Sequence, residues 1–209
     1  EYNYGFVAIL QGDGKLAEWH FKNSIKFLEK VQFIQPLALA WSGLGIAELL
    51  KGELEVGRKH VEKGYKIHRD AEIEWNLSTQ TIFLSACHYE SGDLDEALHF
   101  IEEAGRLAQK NHERHIEGKS LIWLGRILGK GRFPQSAESE AHILRGLKIL
   151  DALNTKPDVA AGYFFLGEVY ANRGQKKEAL ENLNRAKEMF QEMSMDYWFV
   201  RVQEALGRL

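Results

Sequence analysis

Cysteine and histidine side chains at short spacings are the residues of this chain that could carry out chemistry. Cys87 and His88 are adjacent, and a histidine beside a cysteine is one way to activate a thiol. Adjacent side chains in a helix point about 100° apart, which favours a small buried thiol beside a histidine at the rim. His112 and His115 are three residues apart and could meet one metal ion. No third ligand of a suitable type is placed nearby, so we interpret them as a solvated pair.

Glycine and carboxylate motifs do not indicate catalysis either. Gly12-Asp13-Gly14 falls between two predicted helices and not after a strand, so it does not predict a phosphate-binding loop. The sequence contains no nucleophile elbow and no HExxH motif. Carboxylates such as Glu102 and Glu103 fall on the exposed side of a predicted helix. We therefore predict that the chain is not an enzyme and that it uses no metal ion and no cofactor.

The composition restricts the surroundings in which the chain folds. Of its 209 residues, 44% are apolar and 27% are charged, a composition too apolar for intrinsic disorder. The single cysteine excludes an intramolecular disulfide framework and suits a reducing compartment. The formal net charge of −3 gives no general attraction to nucleic acid, and no apolar run approaches the roughly 18 residues of a membrane helix. We predict a cytoplasmic protein that binds neither nucleic acid nor membrane, and the absent initiator methionine suggests a piece of a longer protein.

The low proline content predicts long helices. The chain has three prolines, where average usage would give about ten. Pro36 and Pro157 fall at or just before the first turns of predicted helices, where a missing N–H group costs nothing. Pro134 falls in an irregular turn.

A period of about 40 residues runs through the sequence. Turn glycines recur at spacings of 40, 40, 39 and 43 residues, at Gly12, Gly52, Gly92, Gly131 and Gly174. Small residues follow in register at Ala17, Gly57, Ala97, Ser139 and Ala179, and seven positions later at Ser24, Gly64, Ala104, Gly146 and Ala186. A small residue inside a helix lets a second helix approach closely, and a turn glycine can adopt positive φ. Each unit therefore predicts a helix, a tight turn and a second, antiparallel helix.

The best-preserved unit contains Tyr163, Leu166, Gly167, Tyr170, Gly174, Ala179 and Ala186. This pattern resembles the tetratricopeptide repeat (TPR) family, whose signature is W-x-x-L-G-x-x-Y…G…A…A. The family's period is about 34 residues, so the units here are longer, and Gln191 stands where the family has a proline. HEAT-type repeats share the longer period but not this register, and are the second interpretation. The resemblance implies an all-α, right-handed α-α superhelical solenoid of five TPR-like helical hairpins plus a C-terminal capping helix.

The register divides the chain into one predicted TPR-like repeat domain, 1–209. Its repeats cover about 1–33, 34–71, 72–111, 112–154 and 155–193, and the capping helix covers 194–209, with Ser194 as a candidate N-cap. First helices are predicted at about Tyr2–Leu10, Pro36–Leu50, Ile73–Glu90, Arg114–Leu128 and Pro157–Asn172. Second helices are predicted at about Lys15–Val31, Leu54–Arg69, Leu94–Lys110, Gln135–Leu153 and Lys176–Glu192. Asp93 and Glu96 have the spacing of a capping box.

The resemblance places binding on a concave surface lined by the first helices. The candidate partner-binding residues on this face are Ser42, Ile46, Thr79, Ile82, Tyr89, Lys119, Ile122, Arg126, Lys130, Phe164, Glu168 and Asn172. Lys119, Arg126 and Lys130 share one helix face, with His115 one turn earlier, and we call these four residues the basic stripe. The stripe could bind an acidic peptide, a carboxylate or a phosphorylated ligand. The alternative is a solvated basic face that balances acidic neighbours.

The C-terminal third carries a narrower resemblance. Leu166-Gly167, Gly174, Ala179, Met189-Phe190 and Met195-Asp196-Tyr197-Trp198 are similar to the last repeats of large bacterial signalling proteins of the ATPase and cyclase type. We predict a non-catalytic scaffold that binds a protein or peptide partner, with an acidic segment, in its concave groove and belongs to a larger signalling protein. The alternative is a ligand-sensing regulatory domain that controls a fused enzymatic or DNA-binding output. Self-association through apolar surface on the first repeat is also left open.

Overall fold

Eleven helices form the regular structure of residues 1–130 and 137–209, the part of the chain that the computed structural model describes. They are α1 (Tyr2–Gln11), α2 (Gly14–Val31), α3 (Ile34–Leu50), α4 (Leu54–Asp70), α5 (Leu77–Glu90), α6 (Leu94–Lys110), α7 (Arg114–Lys130), α8 (Ala137–Ala152), α9 (Lys156–Asn172), α10 (Lys176–Glu192) and α11 (Asp196–Gly207). The described residues contain no strand. The all-α prediction is confirmed.

The chain packs as two compact units, residues 1–107 and 108–209. In the first unit α1 packs on α2 and α3 on α4, and α2 and α4 also contact the first helix of the following hairpin. In the second unit α7 packs on α8 and α9 on α10, and α10 contacts α11. These successive helices therefore form hairpins that pack on the helices next to them.

The turn inside each described hairpin uses a glycine in the left-handed region, as predicted. The φ angles are 78°, 84°, 83° and 73° at Gly12, Gly52, Gly92 and Gly174. Side chains other than glycine rarely adopt this conformation, so the register of these glycines follows from backbone geometry. The predicted turn at Gly131 and the irregular turn at Pro134 lie outside the described residues.

A second set of left-handed residues lies between hairpins, where sequence reasoning did not identify it. The φ angles lie between 53° and 56° at Gln32, Glu72, His112, Asn154 and Ser194. Their spacings of 40, 40, 42 and 40 residues follow the same period. No glycine marks these turns, so the sequence carried no signal for them.

Three details of the turns differ from the predictions. Ser194 is not the N-cap of the last helix, because its backbone closes the end of α10 and Met195 takes the capping position. Helix α5 begins at Leu77 and not at Ile73, since Asn76 has a φ of 64°. The Asp93 side chain accepts from the Glu96 N–H at 3.3 Å. In a complete capping box the Glu96 side chain would accept from the Asp93 N–H. That N–H instead donates to the His88 carbonyl, so only the first half of the predicted box is formed.

Small residues bring the helices of a hairpin close together. A methyl group on Gly57 of α4 would lie 2.7 Å from the carbonyl oxygen of Gly45 on α3, and one on Gly146 of α8 would lie 2.6 Å from that of Gly118 on α7. Both distances are too short for a carbon atom. The predicted reason for the small-residue register, close helix approach, is therefore confirmed at these positions.

Candidate binding face

One row of the predicted site residues is buried. This row consists of Ser42, Ile82, Ile122 and Phe164, which are between 0% and 4% exposed. The reason is visible at Gly146, where an added methyl group would collide with Ile122 across the hairpin. Because all four side chains are buried, they are not available to a partner. Their predicted place on a binding surface is corrected to the core.

The remaining candidates of the first unit differ in exposure. Tyr89 is 6% exposed, so its side chain is also part of the interior, which corrects its predicted place on the surface. Ile46 on α3 and Thr79 on α5 are half-buried, and Ile46 packs against the cluster formed by Val61, Leu84 and Cys87. Among the predicted residues of this unit, Ile46 and Thr79 are the two that are partly exposed.

The basic stripe on α7 meets acidic side chains of α9 in the second unit. His115 Nε2 lies 2.7 Å from Asp158 Oδ2, and Lys119 Nζ lies 3.3 Å from Asp158 Oδ1. Burial acts to raise the pKa of Asp158, but the hydrogen bond to His115 and the charge of Lys119 outweigh it, so this pKa is lowered. Two basic side chains therefore share one carboxylate.

Arg126 is enclosed. Its Nε donates to Glu168 Oε2 at 3.1 Å, and its guanidinium lies 3.9 Å from the centre of the Phe165 ring and 5.0 Å from that of Trp123. The residue is 7% exposed. A guanidinium that is stacked on aromatic rings and paired with a carboxylate acts as a packing element between α7 and α9.

The carboxyl ends of α7 and α9 hold the last predicted residues. Lys130 and Asn172 are exposed, and the Asn172 side-chain amide donates to the Gly129 carbonyl at 3.4 Å. Next to it, Arg173 pairs with Glu140 at 3.1 Å. The predicted residues Lys119, Arg126, Glu168 and Asn172 thus lie where α7 meets α9. We call these four residues, together with His115, Asp158 and Lys130, the α7–α9 face.

A buried polar network in the first unit went unpredicted. The Ser42 hydroxyl donates to Gln80 Oε1 at 2.8 Å, and the Gln80 amide contacts His68 Nδ1 at 2.6 Å. All three side chains are 0% exposed, and burial lowers the pKa of His68. The three residues come from three helices and share no local motif, so only the packing reveals them.

The groups that could carry out chemistry or bind a metal ion are described here, beginning with the single cysteine. Cys87 is 2% exposed, and burial raises the pKa of its thiol to about 12. No cluster of three or more metal-ligating side chains occurs among the described residues. In the same part of the chain, no helix has the length and apolarity to cross a membrane.

Known proteins match this chain in structure and not in sequence. No protein-family model matches it, and no curated protein matches its sequence. Among solved structures, BtubC (BKLC) from P. vanneervenii is 18% identical with a TM-score of 0.65, over 91% of this chain and 78% of that one. The apo form of RapI is 11% identical with a TM-score of 0.70, over 100% and 83%.

Two further solved structures are longer than this chain. A Rap protein complexed with Competence and Sporulation Factor is 11% identical with a TM-score of 0.70, over 99% of this chain and 62% of that one. Aspartyl phosphate phosphatase F from Bacillus subtilis is 14% identical with a TM-score of 0.68, over 99% and 57%. At these identities the likeness concerns the fold. The chain has a TPR-like helical-repeat fold.

Proposed function

We propose that this chain is a non-catalytic cytoplasmic scaffold that binds a protein or peptide partner on the α7–α9 face. The observation that carries the proposal is the shared carboxylate, where His115 and Lys119 both contact Asp158. The side chains of this group keep part of their surface in solvent, 43% for His115 and 28% for Lys119. Donors held in place by a shared partner lose little freedom when a ligand binds.

An acidic segment is the partner chemistry that this face favours. His115 and Lys119 present two donors to the single carboxylate of Asp158, and both side chains keep part of their surface in solvent. A ligand carboxylate or phosphate that approaches Lys119 would gain a charge-assisted hydrogen bond. Arg126 does not contribute in this way, because Glu168 and Phe165 enclose it.

The experiment is a selection of peptides from a displayed random library on the purified 209-residue chain. Enriched peptides are synthesised, and their affinity is measured by fluorescence anisotropy at two salt concentrations. We expect enrichment of sequences with Asp or Glu and an affinity that falls at the higher salt concentration. Failure to obtain any peptide that binds saturably would contradict the scaffold proposal.

Paired variants then locate the site. We expect Lys119→Gln combined with Lys130→Gln to weaken the selected peptides by about tenfold, since a hydrogen bond to a charged group contributes about 1.5–3 kcal/mol. The control is Lys148→Gln, an exposed lysine of α8 on the second helix of the same hairpin. Equal affinities in the double variant and the control would exclude the α7–α9 face.

A regulatory role inside a larger protein is the second candidate function. It is supported by the coverage values, because the chain matches 62% of the Rap protein in complex with its factor and 57% of aspartyl phosphate phosphatase F. In this role, a ligand that binds the repeat region would change the activity of a fused output domain. The coding sequence on both sides of this segment tests it: a kinase, cyclase or DNA-binding domain in the same reading frame supports the role, and stop codons on both sides reject it.

A further inference from the structure

Two members of the buried polar network in the first unit lie at positions where other hairpins have apolar residues. In the repeat register, the position of His68 is taken by side chains that are at most 7% exposed, namely Leu28, Ala108, Leu150 and Phe190. The position of Ser42 is taken by Ile82, Ile122 and Phe164, which are at most 4% exposed. The repeat fold therefore does not require polar side chains at this junction between hairpins.

The hydrogen bonds of the network determine where His68 carries its proton. Because Gln80 Oε1 accepts from the Ser42 hydroxyl at 2.8 Å, the Gln80 amide group is left to donate to His68 Nδ1 at 2.6 Å. Nδ1 is then an acceptor without a proton, so the neutral imidazole holds its proton on Nε2. Nε2 is buried and has no hydrogen-bond partner among the described residues.

A second proton on His68 does not fit this arrangement. It would bind to Nδ1, where it would face the amide group that now donates to that atom, and the proton on Nε2 would still lack an acceptor. The imidazolium charge would also be 0% exposed, and a buried charge without a partner is costly. Burial lowers the pKa of His68, and no neighbouring charge contributes to this lowering.

The helices packed against α4 in the first unit, α3 and α5, bring no compensating charge to His68. Helix α3 has one charged side chain, Glu48, which pairs with His60 at 2.7 Å. Gln80 lies in the first turn of α5, whereas the titratable side chains of this helix lie in its last turn. These are Cys87, His88, Tyr89 and Glu90. The charged residues that flank His68 in the sequence, Lys66, Arg69, Asp70 and Glu72, are exposed.

We propose that His68 makes the junction between α4 and α5 a pH-sensitive switch, which is closed while the imidazole is neutral and opens when it takes up a proton. In the open state His68 reaches water, where an ordinary histidine has a pKa of 6.5. The stability of the closed state is therefore complete above pH 6.5 and is lost as the pH falls below this value. Residues 71–76, which connect α4 to α5, form a longer segment than the connections 111–113 and 193–195. This length gives α5 more chain with which to move away from α4.

The single cysteine of the chain reports on this switch, because Cys87 lies on α5 and is 2% exposed. The rate at which its thiol reacts with dithiodipyridine is measured on the 209-residue chain at about pH 7.5 and about pH 5.5. Each rate is divided by that of the urea-unfolded chain at the same pH, which removes the effect of pH on the thiol itself. The quotient is the open fraction of the segment that contains Cys87. We expect it to rise by about tenfold at the lower pH, since each pH unit below 6.5 favours the protonated open state by about a factor of ten.

Variants of His68 then identify the group that takes up the proton. His68→Gln should remove the rise, because glutamine is neutral at both pH values. His68→Leu is a second uncharged variant, in which the residue matches Leu28 and Leu150 at the same register position. The control is His99→Gln, which changes an exposed histidine of α6 in the same unit and should keep the rise.

Two kinds of result would overturn the proposal. One is an open fraction that is equal at both pH values in the wild type, and the other is a rise of equal size in the wild type and both His68 variants. Nitrogen-15 NMR of the His68 ring adds a measurement that needs no variant. We expect the ring to stay neutral at about pH 5.5 in the folded chain, and a ring that takes up a proton while the chain stays closed would also overturn the proposal. None of these measurements involves the α7–α9 face, so this test is separate from that of the proposed function.

Discussion

At the residue scale, the charged side chains of the second unit act in pairs. Asp158, near the start of α9, accepts from His115 and contacts Lys119, and Glu168 accepts from Arg126 two to three turns later along the same helix. Both carboxylates join α9 to α7. Three members of the basic stripe, His115, Lys119 and Arg126, therefore each contact a carboxylate of α9.

Stability of the second unit should depend on the charge of Asp158. Its pKa is below the ordinary 3.8 in the folded chain, so the unfolded chain binds a proton more readily. The contribution to the free energy of unfolding is then complete above the ordinary pKa and is lost as the pH falls through the folded pKa. We expect Asp158→Asn to lower the free energy of unfolding by about 1.5–3 kcal/mol at pH 7 and to have little effect at low pH.

Urea denaturation at neutral pH and below pH 3 measures this difference. The control is Asp151→Asn, an exposed carboxylate of α8 in the same unit, which should have a small effect at either pH. An equal loss at both pH values in Asp158→Asn would show that the residue acts by packing and not by charge.

At the scale of the elements, the distance between helices depends on single glycines. Position 64 of α4 is an example, since a methyl group there would collide with the backbone and side chain of Ser42 on α3. The same Ser42 side chain donates to Gln80 on α5. The glycine thus sets the spacing of one hairpin and the geometry of a hydrogen bond to the next.

We expect Gly64→Ala to lower the free energy of unfolding by about 1–3 kcal/mol, the usual cost of inserting a methyl group into a packed interior. Two of the three contacts at this position are to backbone atoms, which places the packing cost at the upper end of the range, so the better helix propensity of alanine, about 1 kcal/mol, offsets only part of it. Gly207→Ala is the matched control, since no atom lies within 4 Å of a methyl group at that position of α11. A neutral or stabilising Gly64→Ala would contradict the close contact between α3 and α4.

At the scale of the whole molecule, the contacts divide the chain into residues 1–107 and 108–209. In repeat proteins each hairpin gains stability from its neighbours along the chain. A local defect should therefore loosen the unit in which it lies more than the other. Gly146 of α8 and Gly64 of α4 occupy the same register position and offer one such defect in each unit.

Hydrogen exchange followed by mass spectrometry should detect this locality. We expect Gly146→Ala, in which the new methyl group meets the Gly118 carbonyl and Ile122, to speed exchange in α7, α8 and α9 and to leave α1–α4 close to wild type. Gly64→Ala should show the reverse pattern. Uniformly faster exchange along the chain in both variants would mean that the molecule opens as one cooperative body.

The sequence alone determined the helical hairpins, their period and the glycines at their turns. These features follow from local rules. Apolar residues recur at the spacing of a helix, and glycine is free to adopt positive φ, as Gly12 and Gly52 do. The tertiary structure decided which side of each first helix is buried. Ser42 lies against Gly64 of its own second helix, and Phe164 is buried. Arg126 is stacked and paired with side chains about 40 residues away in the sequence, which no local pattern displays. The local period of apolar residues predicts which residues share one side of a helix. Residues distant in the sequence decide which side is buried and what it packs against.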